Sequence, residues 1–401
     1  MWVKLVAAAV AIAVIVGASW WALVGPGSAP PVDACSAAER AAVRDAPVAF
    51  EPTIQWQPAE LPEVATDGDE QVMLAVAPRR SGWVATGRTS NGPRSHTFVL
   101  ATSDGATWQA DPADAVRFGG AEIGLLAEFD GPVIAAGSVS ADVMGIGVWV
   151  GRGSLAWQVA SGPFEGFTPT ALGAGERSAL LLGAADAPAA WSSVDGVSWD
   201  QLTLDLPVAP ELASFAAVRS DDDGWLAAGS ISRGVDAPAA PIVWASSDGA
   251  AWSCRVLDSA GFEVVHPTGL HRSAQGWLAV GIAGDVCGSG ASCVGHAIAW
   301  TSPDGVRWSE GRIGVEPWHT GGTAVAGSSE GFVAVGHGTT WWSADGNVWV
   351  EIDDGGSGAE ALAGQPDALV MTDRGQLAAV GTTYQGAGDA DAWVATGFLA
   401  R

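Results

Sequence analysis

A short motif recurs along the chain at nearly regular intervals. It reads W-x-S-x-D-G-x-x-W, and four complete copies are present, at Trp191–Trp199, Trp244–Trp252, Trp300–Trp308 and Trp341–Trp349. A fifth copy ends at Trp108 and has Leu100 in place of the first Trp, and a degenerate sixth copy keeps Trp149 and Trp157 without the Asp-Gly pair. Units repeated at this period bury their apolar faces against one another, so the chain is predicted to fold as a repeat architecture.

A second signature precedes each copy of the first. It is a Gly followed by alternating large and small apolar residues and closed by another Gly. Six copies begin with glycine, at Gly82, Gly131, Gly224, Gly276, Gly331 and Gly375, and a version without the first glycine runs from Ser178 to Gly183. The alternation has the period of two that is typical of β-strands. Upstream of each copy lies an Ala- and Gly-rich segment such as Gly322–Ala326, whose small side chains suit an innermost strand near a crowded axis.

The spacing of the repeats predicts seven four-stranded blades. The last Trp of each unit falls at positions 56, 108, 157, 199, 252, 308 and 349, and such steps match blade lengths. The seventh unit, Ala361–Gly397, has three strands only, whereas Ile54–Gln57 at the other end of the chain resembles a fourth. We therefore predict an all-β, seven-bladed propeller over residues 48–401, closed by residues near Trp56 pairing with Ala392–Thr396.

The Asp-Gly pairs predict tight hairpin turns between the third and fourth strands. Gly takes positive φ freely, Asp can accept a hydrogen bond from the backbone two residues on, and a Ser or Thr hydroxyl two positions earlier can join the turn. Five aspartates are therefore interpreted as structural: Asp104, Asp195, Asp248, Asp304 and Asp345. The closing tryptophans are expected to be buried between neighbouring blades: Trp108, Trp199, Trp252, Trp308 and Trp349.

These residues resemble the Asp-box (BNR) repeat of sialidase-like propellers, which carry S-x-D-x-G-x-T-W between the third and fourth strands of a blade. In this chain Asp and Gly are adjacent, and the distance from Asp to Trp is one residue shorter. The resemblance covers residues 50–401 in architecture and implies a propeller. It does not imply one activity, since Asp-box propellers include glycosidases, receptors and assembly factors.

Sialidases themselves combine three arginines, a Tyr nucleophile with a Glu, and an Asp acid/base. The single tyrosine of this chain, Tyr384, is predicted to lie on a loop of blade seven, and no Arg-Ile-Pro signature is present. Six arginines are expected on the face of the Asp-Gly turns, where they would pair with turn aspartates: Arg79, Arg80, Arg177, Arg219, Arg272 and Arg374. Five others fall on the opposite face, none of them in a family motif: Arg88, Arg94, Arg117, Arg233 and Arg312.

That opposite face is predicted to carry the function, because its loops are the longest and least regular. The loops expected there are Arg88–His96, Ser138–Gly147, Ser230–Ala240, Ile282–His296 and Thr382–Asp391. The candidate ligand-contacting residues are Arg88, Arg94, His266, Asp285, His296, Glu316, Trp318, His319, His337 and Tyr384. Neither His spacing nor an acidic run such as Asp221-Asp222-Asp223 matches a metal-binding motif, so no metal site or cofactor is predicted.

The N-terminus predicts export. Leu5–Val24 is an uncharged run long enough to span a bilayer, Lys4 precedes it, and Trp20 and Trp21 lie near its far end. We expect a signal anchor in residues 1–25 and an extracytoplasmic tether in residues 26–47; the alternative is a signal peptide cleaved after Ala18. The net charge of −26 opposes nucleic-acid binding.

The four cysteines of an exported chain suggest two disulfides. Cys287 and Cys293 are separated by the flexible segment Gly-Ser-Gly-Ala-Ser, which can close a small ring, and we predict that they pair. Cys35 and Cys254 then pair by elimination.

The chain contains no nucleophile elbow, phosphate-binding Gly loop or paired-Cys zinc motif. We therefore expect a non-catalytic binding or assembly module for a protein or glycan partner. The alternative is a sialidase-like glycoside hydrolase that would use two carboxylates on the same face, with Glu316 and Asp285 as candidates.

Overall fold

The computed structural model describes residues 35–37, 52–62, 70–91, 94–110, 117–118, 121–140, 144–151, 156–221, 224–231, 239–262, 264–284, 296–312, 324–336, 338–352, 356, 361–362, 364–386 and 389–400. The predicted anchor lies outside these residues. Within them, no helix combines the length and the apolar character needed to span a bilayer.

The described strands form seven sheets, and each contains a four-stranded antiparallel blade, which in six of them is made of four consecutive strands. Blades one to three contain β3 (Glu70–Pro78), β4 (Trp83–Asn91), β5 (Arg94–Thr102) and β6 (Gln109–Ala110); β7 (Ala121–Glu128), β8 (Val133–Ser140), β9 (Met144–Gly151) and β10 (Trp157–Val159); and β11 (Thr168–Ala174), β12 (Ala179–Ala184), β13 (Pro188–Ser193) and β14 (Asp200–Leu202). A 3-10 helix, Pro210–Leu212, leads into blade four.

Blades four to six contain β15 (Ala213–Asp221), β16 (Gly224–Ile231), β17 (Ala240–Ser246) and β18 (Ser253–Val256); β19 (Val264–Ser273), β20 (Gly276–Gly284), β21 (His296–Ser302) and β22 (Ser309–Arg312); and β23 (Ala324–Ser328), β24 (Gly331–Gly336), β25 (Thr339–Ser343) and β26 (Val350–Glu351). A short strand, β1 (Ser36–Ala37), adds to blade four in parallel with β18.

Blade seven contains β27 (Gln365–Met371), β28 (Gln376–Gly386), β29 (Asp389–Ala400) and, from the other end of the chain, β2 (Thr53–Pro58). The predicted closure of the ring is thereby confirmed. The register lies closer to the C-terminus than predicted: Trp56 is opposite Gly397, and the pairing runs from Ala395 to Ala400. The difference arises because β29 continues to Ala400, where the sequence pattern suggested that the strand ended earlier.

Each blade packs on the one before it through the tryptophan at the end of its motif. Trp252 of blade four, for example, shares a core cluster with Leu180 and Ala190 of blade three, and Trp308 of blade five shares one with Leu226 of blade four. Four motif tryptophans are buried as predicted, namely Trp108, Trp199, Trp252 and Trp308. Trp349 is half-buried, against blade five. The apolar core is therefore a ring of interfaces between blades, not a single central cluster.

The second glycine of the apolar signature lies where the innermost strand has a bulge. Six innermost strands shift register at the same level, and in each of these blades a Cβ on the facing glycine would meet a carbonyl oxygen of that strand. At Gly183 the separation would be 2.0 Å from the oxygen of Thr168, and at Gly229 it would be 2.0 Å from the oxygen of Ser214. The glycine is thus required by the close approach of two strands. Its counterparts are Gly87, Gly137, Gly281 and Gly381.

A disulfide joins Cys35 to Cys254, as predicted, across a sequence separation of 219 residues. Both cysteines are buried, and the bond fixes β1 beside the outer strand of blade four. The predicted bond between Cys287 and Cys293 lies outside the described residues.

We expect the double variant Cys35→Ser/Cys254→Ser to lose about 2–4 kcal/mol of unfolding free energy, because the bond restricts a very long loop in the unfolded chain. The measurement is equilibrium urea denaturation of the double variant and of oxidised wild type. Adding a reductant to wild type should reproduce the loss and should leave the double variant unchanged. Equal midpoints for oxidised wild type and the double variant would contradict the assignment.

Candidate functional site

The turn face, which carries the Asp-Gly turns, is built from one repeated set of hydrogen bonds. In blade four, the Asp248 carboxylate accepts from the amides of Ala250 and Ala251 at 2.8 and 2.9 Å, and from the Ser246 hydroxyl at 3.0 Å. The Trp252 indole donates to the carbonyl of Gly249 at 3.0 Å. The predicted turn chemistry is confirmed, with the same carboxylate bonds at Asp104, Asp195, Asp304 and Asp345.

These bonds favour the ionised form of the carboxyl groups. The amide three residues on is the largest cause, and it holds the pKa of three of them, Asp104, Asp195 and Asp248, below the ordinary value. A carboxylate already committed to its own turn has few lone pairs left for a ligand. The turn aspartates therefore stabilise their own hairpin turns.

The arginines predicted on the turn face differ in their contacts from the expected pairing with turn aspartates. Arg79 donates to the carbonyl of Thr102, and Arg272 pairs with Asp221 at 3.3 Å and lies over the Trp277 ring at 4.8 Å. An ion pair within a turn joins Arg307 to Asp304, the eighth and fifth residues of the motif, at 2.7 Å. Arg307 was not among the arginines named for this face, although it lies within one of the Asp-Gly turns that define the face.

On the opposite face, which we call the loop face, the hairpins are longer than predicted. β4 and β5 extend to Asn91 and from Arg94, and β28 and β29 extend to Gly386 and from Asp389, so most of the predicted loops Arg88–His96 and Thr382–Asp391 is strand. The predicted loop Ser138–Gly147 is likewise shortened by β8 and β9. The strand ends were predicted from the alternation of apolar residues. The strands pair through backbone hydrogen bonds, which polar residues form equally well, so the strands continue beyond the apolar segments.

Blades seven, one and two bring together a group of polar side chains on the loop face, which we call the loop-face cluster. It comprises Glu70, Arg88, Ser90, Glu122, Asp367, Thr382 and Tyr384. Arg88 of β4 pairs with Glu122 of β7, so the ion pair links blade one to blade two. The Ser90 hydroxyl donates to the Glu70 carboxylate at 3.1 Å within blade one. The Thr382 hydroxyl donates to the Asp367 carboxylate at 2.8 Å within blade seven.

Asp367 occupies the bulge of its innermost strand, between Pro366 and Ala368. Water reaches the carboxylate, but the wall of the ring surrounds it and restricts its hydration. Burial therefore raises the pKa of Asp367 to about 6, against the opposing effect of the hydrogen bond from Thr382. This carboxyl group changes charge close to neutral pH.

Tyr384 is 53% exposed and lies in β28, not in the loop where it was predicted. Its partial burial raises the pKa of the phenol, and the charges of Asp367 and Glu70 raise it further, while Arg88 acts in the opposite direction. The phenol is therefore neutral at physiological pH, and it offers a ring and a hydroxyl to a partner. A raised pKa is the reverse of what activates a nucleophile.

The remaining candidates are placed as follows. His266 lies in β19 at the inner wall of blade five, where burial lowers the pKa of its imidazole. Arg94 and His296 begin β5 and β21 on the loop face. The other five candidates lie outside the described residues: Asp285, Glu316, Trp318, His319 and His337. Among the described residues, no three His, Cys, Asp or Glu side chains are grouped as a metal site would require.

Sequence reasoning identified Arg88 and Tyr384 and missed the three acids beside them. A signal was present at Asp367, since a carboxylate in the middle of the apolar strand Gln365–Met371 is unusual. Glu70 and Glu122 each stand near the start of an innermost strand, where such a signal is absent.

Two open clefts lie on the turn face. One lies between blades four and five, beside Trp225, Trp277 and Asp304, and the other lies between blades three and four, beside Arg177 and Ser220. Both clefts are lined largely by residues of the turns on this face. The two clefts therefore make the turn face concave without placing a catalytic or ligand-binding group there.

The fold is similar to solved structures of diverse proteins. The structure of YCF48 bound to D1 peptide is 13% identical, with 89% of this chain and 100% of that one aligned and a TM-score of 0.53. A catalytically inactive variant of virginiamycin B lyase from Staphylococcus aureus, solved with quinupristin, is 9% identical, with coverage of 86% and 100% and a TM-score of 0.54. An α-L-arabinofuranosidase from Fusarium graminearum is 13% identical, with coverage of 86% and 97% and a TM-score of 0.44.

No protein-family model matches the sequence, and no curated protein matches it. The structural likenesses establish the all-β, seven-bladed propeller with four-stranded blades. They include peptide-binding and catalytic proteins alike, so the choice between binding and catalysis depends on the chemistry of this chain's own side chains.

Proposed function

We propose that the chain is a membrane-tethered, extracytoplasmic propeller that binds a protein or glycan partner on the loop face and does not itself catalyse a reaction. The observation that carries the proposal is the loop-face cluster, in which an exposed tyrosine lies among charged groups on three adjacent blades. Tyrosine is enriched at the centre of binding surfaces because it supplies apolar area together with a hydroxyl. A solved neighbour of the same fold holds a peptide.

The charges of the cluster indicate how a partner would be held. Arg88 is paired with Glu122, so the carboxylates of Glu70 and Asp367 are the charges left for a partner. Their hydrogen bonds to Ser90 and Thr382 hold both carboxylates in place, and preorganised acceptors lose little freedom when a ligand binds. The surface therefore suits cationic or hydrogen-bond-donating groups beside an apolar contact with Tyr384.

We also infer that the Asp-Gly turns are compact variants of the Asp-box. The resemblance rests on the shared Ser, Asp, Gly and Trp positions between the third and fourth strands. The repeated bonds from the carboxylate to the following amides support a structural role for them.

The binding proposal predicts a partner that is reached from one face only. With a photo-crosslinking residue at position 384 in the native membrane, a specific partner should be captured. The same residue at position 194 on the turn face should capture none, although Val194 is 80% exposed. Once the partner is purified, Tyr384→Ala should weaken its binding at least tenfold, which is about 1.4 kcal/mol. Capture from position 194 alone, or unchanged affinity for Tyr384→Ala, would contradict the proposal.

Glycoside hydrolysis is the second candidate, because a carboxyl group with a pKa near 6 can serve as a general acid. Its test is turnover of a panel of fluorogenic glycosides, sialosides included, by wild type and by Asp367→Asn, Asp285→Asn and Glu316→Gln. Turnover that any one substitution abolishes would establish catalysis and overturn the binding proposal. Inactivity of wild type on the panel, together with the one-sided crosslink, is the result we expect.

A further inference from the structure

The polypeptide first joins the propeller at a defined point on the rim of blade four. β1 pairs in parallel with the outer strand β18, so that Ser36 lies opposite Arg255. Cys35, which precedes β1, is bonded to Cys254 near the start of β18. The chain is therefore held to this blade both covalently and by backbone pairing, before it continues to the closing strand β2.

The parallel pairing also fixes the face of the ring from which the chain arrives. β18 follows the Asp-Gly turn of its blade, so it begins at the turn face and runs toward the loop face. β1 runs in the same direction. The residues ahead of Cys35 therefore approach from the turn face, and the chain meets the ring close to the turn of Asp248.

The attachment point and the loop-face cluster lie on opposite sides of the ring. The innermost strands contact one another in blade order, and the innermost strand of blade seven contacts that of blade one. In this closed ring of seven, blade four is three places from blade one and three places from blade seven. Six of the seven residues of the cluster belong to blades seven and one. The two sites are thus separated across the ring as well as from face to face.

The predicted anchor leaves a short length of chain ahead of this point. Residues 26–34 are nine residues, and they span at most about 30 Å when fully extended. In blade seven, β28 runs from Gln376 at the turn face to Tyr384 in the cluster, a rise of about 25–30 Å. A tether that enters in the direction of β1 therefore keeps the turn-face end of blade four nearest the bilayer and holds Tyr384 a strand length farther away.

The turn face itself does not favour contact with lipid. Amide hydrogen bonds lower the pKa of the carboxyl groups of Asp104, Asp195 and Asp248, which stay ionised. Anionic headgroups would repel these carboxylates. The ring is therefore positioned by its tether and not by adsorption of this face to the membrane.

We propose that the attachment at blade four presents the loop-face cluster away from the membrane, so that its partner is a water-soluble protein and not a membrane-embedded neighbour. This orientation rests on the anchor and the binding site of the proposed function. A protein partner fits because Glu70 and Asp367 have no cationic partner among the described residues, and Lys and Arg side chains would supply that charge. The alternative is a tether that turns back along the rim and directs the loop face toward the bilayer.

The test compares the distances of the two faces from the bilayer. The full-length protein carries a fluorescent unnatural residue at position 194 on the turn face or at position 384 in the cluster, and it is reconstituted into phosphatidylcholine vesicles with acceptor-labelled lipid. Energy transfer should be about twofold stronger from position 194, because the two positions differ in height by about 25–30 Å. Cys35→Ser/Cys254→Ser should reduce this difference, because the free tether would then extend over residues 26–52 up to β2.

Flotation of the vesicles separates failure of the anchor from failure of the orientation. Protein that does not float with the vesicles has no anchor, and both the tethering and the orientation are then wrong. Protein that floats but transfers equally from the two positions, or more strongly from position 384, keeps the anchor and overturns the orientation alone. An undiminished difference in the double variant would also contradict the proposal, because the disulfide would not then set the orientation.

The nature of the partner is tested on the protein that is crosslinked at position 384. With a cleavable crosslinker, the released partner should leave the membranes in an alkaline wash, as a water-soluble protein does. A partner that is released only by detergent is embedded in the bilayer, and that result would overturn the proposal while leaving the binding function of the cluster intact.

Discussion

Gly137→Ala should lower the free energy of unfolding by about 3 kcal/mol or more, because a Cβ at this position would lie 1.9 Å from the carbonyl oxygen of Glu122. The obstacle is backbone of the innermost strand, which no side-chain rotation can move away. Blade two would have to separate its first two strands or lose the bulge. Equilibrium urea denaturation, followed by tryptophan fluorescence, measures the change.

Gly124→Ala is the matched control, because Gly124 lies in the facing strand of the same hairpin with nothing within 4 Å of its Cβ position. We expect this variant to be unchanged or stabilised by about 0.4–1 kcal/mol, through the reduced entropy of the unfolded chain. Similar losses for the two variants would show that glycine flexibility, and not close approach, explains the signature.

Trp56→Ala should remove about 3–5 kcal/mol of stability, since it deletes a buried aromatic side chain from the strand that closes the ring. Trp56 is 3% exposed, and its indole donates to the Thr340 hydroxyl of blade six at 3.0 Å. Thermal and urea unfolding should both shift. Thr340→Val, which removes only the acceptor, should lose about 1–3 kcal/mol by leaving the indole N–H unsatisfied.

Phe398→Ala provides the control within the same sheet, because Phe398 is an aromatic residue of β29 that is 53% exposed. Its loss should stay within about 0.5 kcal/mol. If Trp56→Ala were equally mild, the contribution of β2 to closing the ring would have to be small.

Much of the architecture could be predicted because each blade has a recognisable motif in the sequence. The count of seven apolar signatures against six outer strands was enough to identify Ile54–Gln57 as the missing strand, and the structure places it there. The bulge was not predictable in the same way. The only trace of the bulge in the sequence is the glycine on the facing strand. Without knowledge of the strand that pairs with it, that glycine suggests no more than the end of a strand.

The candidate site was predictable only in part, for a topological reason. Asp367 and Glu70 belong to the last and first blades, which meet only because the ring closes. Arg88 and Tyr384 were identified because arginine and a lone tyrosine stand out in a sequence poor in both charge and tyrosine. The acids did not stand out among 44 others. These acids are distinguished by their positions in the folded ring and not by their residue type.

The Cys35–Cys254 bond has a mechanical consequence. A pull on the chain ahead of Cys35 passes through the covalent bond into β18 of blade four, instead of continuing along the chain to β2. The closing strand, held by backbone pairing to blade seven and by the buried side chains of Ile54 and Trp56, has no covalent link to its neighbours and would otherwise be peeled from its first residue, Thr53. With the disulfide formed, the force therefore acts on blade four, whose four blade strands are consecutive in the chain. With the disulfide reduced, the force would act on β2, the strand that closes the ring.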